Sequence, residues 1–402
     1  MKILLYGYYD QGNFGDNLFK FIFQKFFDEN KIDYIIFNPK TLSTNEDHQF
    51  DLIFLGGGEI INEYFLLPLF KYIANNNLNT VPIYGASIGC NSKLHYINFI
   101  DKCIFRNNLS IINEINYFYD NDIVFGLKKY YIPPQLKSDI VAKNQQINLY
   151  IPNSIGIYLI HDINDYYYNI LKEFMIGLNN KNIIRFIIFE ENKDILIINR
   201  LIKDGNLNNY EIIQRNNPLE IIDEITKNER HLCLRYHAHI ICYLYKLQFL
   251  SFPITNKTRA FTEDHDIKYS FNVNEMLDLI ISQNIKFKNL EFNFDVLNKF
   301  FTINNFTPTT IKSISIWSIF NEIYTNFIKI LNNKNNIIDN NNLNYYINYI
   351  SDQIEFNIIG HLNSPYKYGI NTKLINIFNK YNCNNHKLQC EFITIMTDLV
   401  QD

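Results

Sequence analysis

The sequence predicts an α/β protein of two Rossmann-like, doubly wound domains followed by a helical extension. Three observations predict it. Short, continuous apolar runs alternate with amphipathic helical patterns, the signature of strands buried in parallel sheets between layers of helices. This series occurs twice, interrupted by a Pro133-Pro134 pair and a polar stretch, residues 135–146, read as a linker. Glycines stand at the ends of several early runs, on the edge where open parallel sheets bind ligands. The expected domains are residues 1–140, 147–275 and an extension over 276–402 with an Asn-rich loop. With 47% hydrophobic and 19% charged residues in 402, such cores can be filled and global disorder is excluded.

Lys2 to Tyr6 reads as the first buried strand, followed by the loop from Gly7 to Asn17. A helix is expected from about Asn17 to Asp28, with Phe19, Ile22, Phe23, Phe26 and Phe27 on one face and Asp16 or Asn17 as its cap. Strand, glycine loop and helix together present backbone N–H groups to an anion, although the spacing is neither a Walker A nor a dinucleotide fingerprint. Tyr34–Phe37 and Asp51–Leu55 are the next strands, the latter ending in Gly56-Gly57-Gly58-Glu59. Three glycines at a strand end cost chain entropy and mark a close approach to backbone. Residues 81–86 form a fourth strand ending in Ser87-Ile88-Gly89, and Lys102–Phe105 a fifth. Arg106-Asn107-Asn108-Leu109-Ser110 then opens a helical pattern running to Tyr119. On spacing alone, Arg106 is a surface ion-pair residue.

In the second series, strands are expected at residues 155–160, 183–189, 210–213 and 248–254, and helices at 165–178, 194–203 and 218–227. Pro218 suits a first helical turn. The stretch His231-Leu232-Cys233-Leu234-Arg235-Tyr236-His237-Ala238-His239 is the focus of the chain. An apolar strand ends abruptly in Arg-Tyr-His, and a helical pattern resumes through Ile240, Ile241 and Leu244. Arg235 offers a planar fork for a carboxylate or phosphate, and His237 a proton near neutral pH. His239 is expected to be structural and His231 to lie on the surface. A loop is expected over Asn256, Lys257 and Thr258.

Six cysteines are too scattered for a disulfide framework, which suggests a reducing compartment. Cys383, His386 and Cys390 lack a fourth ligand for a closed zinc site, so no metal is expected. The net charge of −4 gives no basic footprint for nucleic acid. No run approaches the roughly 20 apolar residues of a membrane span, and residues 1–6 are too short for a signal peptide. The expected location is cytoplasmic, that of a host or a viral factory included, since the Asn, Ile, Lys, Tyr and Phe excess reads as AT-rich codon bias.

Five motifs occur in one order: Gly-Tyr-Tyr…Asn-Phe-Gly-Asp (7–16), Gly-Gly-Gly-Glu-Ile (56–60), Gly-Ala-Ser-Ile-Gly (85–89), Arg-Asn-Asn-Leu-Ser (106–110) and Leu-Arg-Tyr-His-Ala-His-Ile (234–240), with a Phe-Pro…Lys (252–257) after them. Residues 1–275 thereby resemble the polysaccharide pyruvyl transferases. The resemblance implies a GT-B-like pair of domains and transfer of pyruvyl from phosphoenolpyruvate to two hydroxyls of a sugar, giving a ketal and free phosphate. It implies phosphoenolpyruvate as donor, a carbohydrate acceptor, and no cofactor. It places donor binding on Arg235 and Arg106 and proton transfer on His237, with Asp16 accepting a hydroxyl proton. Lys257, Asn13, Gly15, Gly57, Gly58 and Ser87 would line the site. Tyr236 stands where the family has leucine, its side chain expected to point into the core beside a larger pocket. Asn107 stands where the family has aspartate, which removes a charge. Two other readings fit the same pattern: a GT-B nucleotide-sugar glycosyltransferase, and a degenerate member that binds carbohydrate without turnover.

Overall fold

The computed structural model describes residues 1–42, 49–76, 78, 81–89, 100–106, 117–141 and 150–302. Asn107, Ser110, Cys383, His386, Cys390, the Asn-rich loop and most of the expected extension lie outside the described residues.

The chain divides into two compact units that do not follow chain order. The first comprises Met1–Gly7, Asn30–Tyr119 and the described residues from Asp295 onward; the second comprises Tyr8–Glu29 and Asp120–Phe294. This differs from the expected boundaries at 140, 147 and 275. The glycine loop and the helix after the first strand group with the second unit, which no local pattern announces.

The first unit holds a parallel sheet of β1 (Lys2–Tyr6), β2 (Asp33–Phe37), β3 (Leu52–Gly58), β4 (Ile83–Ile88), β5 (Lys102–Phe105) and β6 (Tyr117–Tyr119), in the order β2-β1-β3-β4-β5-β6. Strand order reverses between β1 and β3, so the glycines of β3 flank the crevice expected at such a reversal. The glycines belong to β3 itself rather than to a loop after it, and β4 likewise runs two residues further than expected. Tyr117–Tyr119, expected to end a helix, is a strand paired in parallel with β5.

The second unit contains α1 (Phe14–Glu29), a 3-10 helix (Ile123–Lys129), α3 (Pro134–Val141) and a five-stranded parallel sheet. Helix α2 (Glu63–Asn75) belongs to the first unit. The strands are β7 (Ile151–Tyr158), β8 (Ile183–Ile187), β9 (Tyr210–Ile213), β10 (Asn228–Cys233) and β11 (Phe249–Ser251), ordered β11-β10-β7-β8-β9. Between them run α4 (Asp165–Asn179), α5 (Glu191–Gly205), α6 (Pro218–Thr226) and α7 (Tyr236–Leu244). Then come α8 (Asn256–Asp264) and α9 (Val273–Ser282); α10 (Phe294–Thr302) starts at the last residue of this unit and otherwise belongs to the first. Three boundaries differ from expectation. Residues 134–141 are helical, so the polar stretch begins inside a helix. The loop at 256–258 is the first turn of α8, held by a capping box between Thr255 and Thr258. Met276 and Ile280 of α9 are buried in the core of the second sheet with Phe174 and Leu250, so the sheet unit extends past 275.

A buried charged network fixes β8 against β10. Arg185, only 4% exposed, donates to Glu224 Oε2 at 2.8 Å, Glu211 Oε2 at 2.8 Å and Asn228 Oδ1 at 2.9 Å. Arg215 and Lys227 donate to the other Glu224 oxygen at 2.7 and 3.0 Å. Burial pushes the Glu224 carboxyl up, but these three cations outweigh it and draw it down to about 2. Glu224→Gln keeps the shape and removes the charge. It is expected to lower unfolding stability by about 1.5–3 kcal/mol, the range for hydrogen bonds to charged groups. A urea titration at pH 7 checks this, and an unchanged midpoint would refute it.

Candidate functional site

The carboxyl edge of the second sheet carries the Arg-Tyr-His stretch. Strand β7 is central, with β10 on one side and β8 on the other, so the order reverses between β7 and β10. Arg235 leaves β10 at that reversal as the N-cap residue of α7, without capping it by its side chain. Its guanidinium turns across the edge instead. Nε–H donates to the Leu159 carbonyl just past β7 at 2.6 Å. Nη1 and Nη2 donate to Glu190 Oε2 at 3.3 and 3.4 Å, and Nη2 also to Asp194 Oδ1. Asp194 is buried, and its other oxygen accepts the backbone N–H of Phe189 and Glu190 at 2.9 Å each. Burial raises the Glu190 carboxyl, but the Lys193 hydrogen bond and the charges of Arg235, Lys193 and His161 outweigh it and hold Glu190 below the ordinary value. The fork expected to meet a ligand thus meets two carboxylates of its own unit. An anion reaching Arg235 must share it with Glu190 or displace it.

His237, in the first turn of α7, lies against α1. An ideal Cβ on Gly15 would stand 1.9 Å from His237 Nδ1 and 2.3 Å from Cε1, so only glycine admits the imidazole there. The Phe19 ring meets it edge-on at 5.1 Å. Nε2 lies 3.9 Å from Asp122 Oδ2, a carboxylate with no side-chain exposure. The other Asp122 oxygen accepts Val124 N–H at 3.0 Å and caps the 3-10 helix. His237 itself is 16% exposed. A histidine beside a fixed buried carboxylate is arranged to take a proton and to have the resulting cation stabilised.

The glycine loop closes onto the same edge. Asn13 forms an antiparallel bridge with Glu190, and Phe14 N–H donates to the Phe189 carbonyl at 2.9 Å. Asn13, not Asp16 or Asn17, sits at the start of α1, its Oδ1 accepting Gly15 and Asp16 N–H at 3.0 and 3.4 Å. Asp16 lies half-buried in that first turn. Burial raises the Tyr9 hydroxyl pKa strongly, and the Asp16 charge raises it further. A cavity of about 270 Å³ opens beside the loop, walled by Gly12, Phe14, Phe189, Glu191, Arg215 and Pro218.

Other expected residues fall as follows. Tyr236 does not enter the core: it is half-buried at the start of α7, edge-on to His237 at 5.4 Å and to Phe261 at 6.0 Å. The first helical residue of α7 lies on the rim, which leaves no inward position for its ring. Lys257 is half-buried in the first turn of α8. His239 is structural: it is buried, with Nδ1 2.8 Å from the Arg235 carbonyl and Nε2 2.8 Å from Ser251 Oγ. His231 is not on the surface but 1% exposed within β10, its Nδ1 2.7 Å from the Tyr158 hydroxyl.

In the first unit, Arg106 is buried rather than on the surface, with Nη2 3.7 Å from Glu59 Oε1. A Cβ on Gly89 would lie 2.8 Å from its Nε and Nη2. Gly57 and Gly58 adopt φ of 84° and 86°, and Ser87 has φ of 58°, all in the left-handed region. For Ser87 that conformation is uncommon and costs free energy; functional sites concentrate such residues.

Asp122 carries no functional signal in the sequence, although an acid two residues before Val124 is a readable cap signal. Glu190 and Asp194 follow the β8 strand in the sequence as acids with no role that spacing alone assigns.

No family model and no curated protein matches the chain. Among solved structures, the UDP-GlcNAc 2-epimerase of Methanocaldococcus jannaschii, crystallised with UDP-GlcNAc and UDP, aligns over 75% of this chain and 99% of that one at 10% identity, with a TM-score of 0.51. The two units have the GT-B fold. The UDP-GlcNAc 2-epimerase of Neisseria meningitidis aligns over 75% and 100% of the chains at 11% identity and a TM-score of 0.47. Anabaena Alr3699/HepE, solved with UDP and glucose, aligns over 70% and 90% at 11% and 0.44. No helix among the described residues is long and apolar enough to cross a membrane.

Proposed function

We propose that the chain transfers a group from an activated, anionic donor to a carbohydrate, with a nucleoside-diphosphate sugar as donor. The observation that carries this reading is the meeting of the glycine loop with the carboxyl edge of the second sheet. Gly15 lies on His237 and Asn13 bridges to Glu190, while a 270 Å³ cavity opens on the neighbouring residues Gly12, Phe14, Phe189 and Glu191. The solved epimerase of the same fold was crystallised with a nucleoside diphosphate and its sugar, which supports the donor class. In the reaction, an acceptor oxygen bonds to the anomeric carbon as the bond to the diphosphate oxygen breaks. The diphosphate leaves with the electron pair, the acceptor proton passes to His237, and Asp122 stabilises the imidazolium.

A second donor, phosphoenolpyruvate, is favoured by a separate observation. Two pairs of the ordered motifs that resemble pyruvyl transferases meet in space, Gly15 with His237 and Gly89 with Arg106. Here the enol carbon is protonated, a sugar hydroxyl attacks the neighbouring carbon, phosphate departs, and a second hydroxyl closes the ketal. Titration calorimetry of the full chain with UDP, UDP-glucose, UDP-GlcNAc and phosphoenolpyruvate separates the two. Affinity for the nucleotides supports the first reading, and affinity for phosphoenolpyruvate alone the second. If neither class binds, both readings fall.

Arg235→Lys is expected to weaken whichever donor binds by about tenfold, or about 1.4 kcal/mol, since an ammonium cannot reproduce the fork. Donor affinity equal to that of the parent would show that Arg235 only holds Glu190 and Asp194.

A further inference from the structure

A second cavity in the second unit, about 360 Å³, is not at the carboxyl edge. It lies at the opposite end of α7 from Arg235 and His237, between Lys246, the end of the 3-10 helix and the segment from Lys288 to Phe294. Its floor is aromatic and buried: Phe125, Tyr243 and Phe292 are 4%, 2% and 4% exposed. Its rim carries four lysines against a single carboxylate, Glu291. Two of the lysines have acid partners elsewhere. Lys129 is 2.5 Å from Glu29, and Lys288 is 3.7 Å from Asp266. Lys128 and Lys246 have no carboxylate within ion-pair distance among the described residues.

These two ammonium groups work against each other. Burial lowers the Lys128 pKa, the nearby charge of Lys246 lowers it further, and Glu291 offsets this only in part. Lys246 is also held at φ of 59°, in the left-handed position after α7 where glycine is favoured. A cation at a helix C-terminus is favourable, and Lys128, in the last turn of the 3-10 helix, also lies 5.7 Å from the centre of the Tyr245 ring; neither contact supplies the full negative charge that two neighbouring ammonium groups call for. An anion between the two would turn repulsion into attraction, and the aromatic floor would take the body that bears it. A volume near the lower end of the range for small-molecule sites sets the size.

We infer that this cavity binds a small organic anion, a phosphate or carboxylate group on a body of monosaccharide size, between Lys128 and Lys246. The inference does not depend on which donor occupies the carboxyl edge.

The test is calorimetry on the full chain with glucose 6-phosphate, glucuronate, inorganic phosphate and glucose as probes. Glucose 6-phosphate or glucuronate should bind, more weakly as salt is raised, and glucose should not. Lys128→Ala with Lys246→Gly should weaken binding at least tenfold while the thermal midpoint holds, because glycine suits the backbone at 246. Lys129→Ala, which removes a lysine already paired with Glu29, should change affinity less than threefold, as should Arg235→Lys. The inference is overturned if the double variant binds like the parent, if binding is lost in Arg235→Lys, or if no probe binds. Inorganic phosphate binding as tightly as glucose 6-phosphate would reduce the site to an adventitious ion only.

Discussion

Gly15→Ala is expected to lower turnover by about 10²–10⁴-fold, the span assigned to loss of a positioned proton-transfer group, with the protein still folded. The new methyl carbon would fall 1.9 Å from His237 Nδ1, inside any real contact, so the imidazole must move. Phe19 borders the ring, and the Asp122 carboxylate faces Nε2 at 3.9 Å, so displacement separates the histidine from its acid. Gly15 lies in the first turn of α1, so the helix gains less from alanine than the roughly 1 kcal/mol of a helix interior, and in the stabilising direction. A fall in activity without a fall in thermal midpoint would therefore report the ring and not the fold. His237→Ala should match Gly15→Ala in turnover, and the pair should not be additive, since both remove one function. Proton NMR gives a readout independent of substrate: the His237 ring signals should change position in Gly15→Ala. Turnover within a few-fold of the parent in both variants would remove His237 from the chemistry.

Much of the fold was legible because parallel strands leave an unambiguous trace. Lys2–Tyr6, Lys102–Phe105 and Tyr210–Ile213 form strands with the expected ends, since apolar runs of that length between polar breaks have few other uses. The misplacements share a cause. Glycine signals a strand end, yet β3 continues through Gly56, Gly57 and Gly58 because parallel pairing with β4 extends to Gly58. Residues 117–119 carry aromatic side chains that suit helix or strand, and pairing with β5 decides for strand. The membership of α1 in the second unit depends on tertiary packing alone.

The site was legible residue by residue but not as a set of interactions. Sequence pattern placed Arg235 and His237 at a strand-to-helix junction, where they are. It gave no sign that Glu190 and Asp194, more than 40 residues earlier, occupy the guanidinium, or that Asp122 stands behind the imidazole. Those partners stand at helix starts, Glu190 and Asp194 at that of α5 and Asp122 at that of the 3-10 helix, at separations no local period links to Arg235 and His237, so only the folded chain brings them together. Burial departs from the sequence pattern in both directions. Tyr236 is on the rim, while His231 is enclosed between β7 and β11, because a polar residue can face inward when one hydroxyl, here Tyr158, meets it.

That buried histidine leads to a pronounced expected loss of stability in mild acid. Burial, helped by the Arg230 charge, lowers the His231 pKa to about 3. Burial lowers that of His239 to about 4, against a smaller opposing effect from its hydrogen bond to the Arg235 carbonyl. In the unfolded chain both titrate near 6.5. Below that pH the unfolded state takes up two protons that the folded state refuses, so stability is complete above about 6.5 and falls with pH down to the folded values. Two protons correspond to about 2.7 kcal/mol per pH unit. Between pH 6.5 and 4.5 the loss is roughly 5 kcal/mol, comparable with the whole stability of many domains. Asp120 and Asp223, which burial holds above the ordinary carboxylate value, oppose the trend only at its acidic end. Glu224, drawn down to about 2, adds to the loss below about 4.5. Urea midpoints at pH 7.0, 6.0 and 5.0 should therefore decline steeply at constant slope of the transition. His231→Gln, which keeps a polar side chain beside the Tyr158 hydroxyl but cannot ionise, should roughly halve that decline. A midpoint flat from pH 7 to 5 would mean that both histidines find solvent when protonated, and that the enclosed strand β10 opens far more readily than its burial implies.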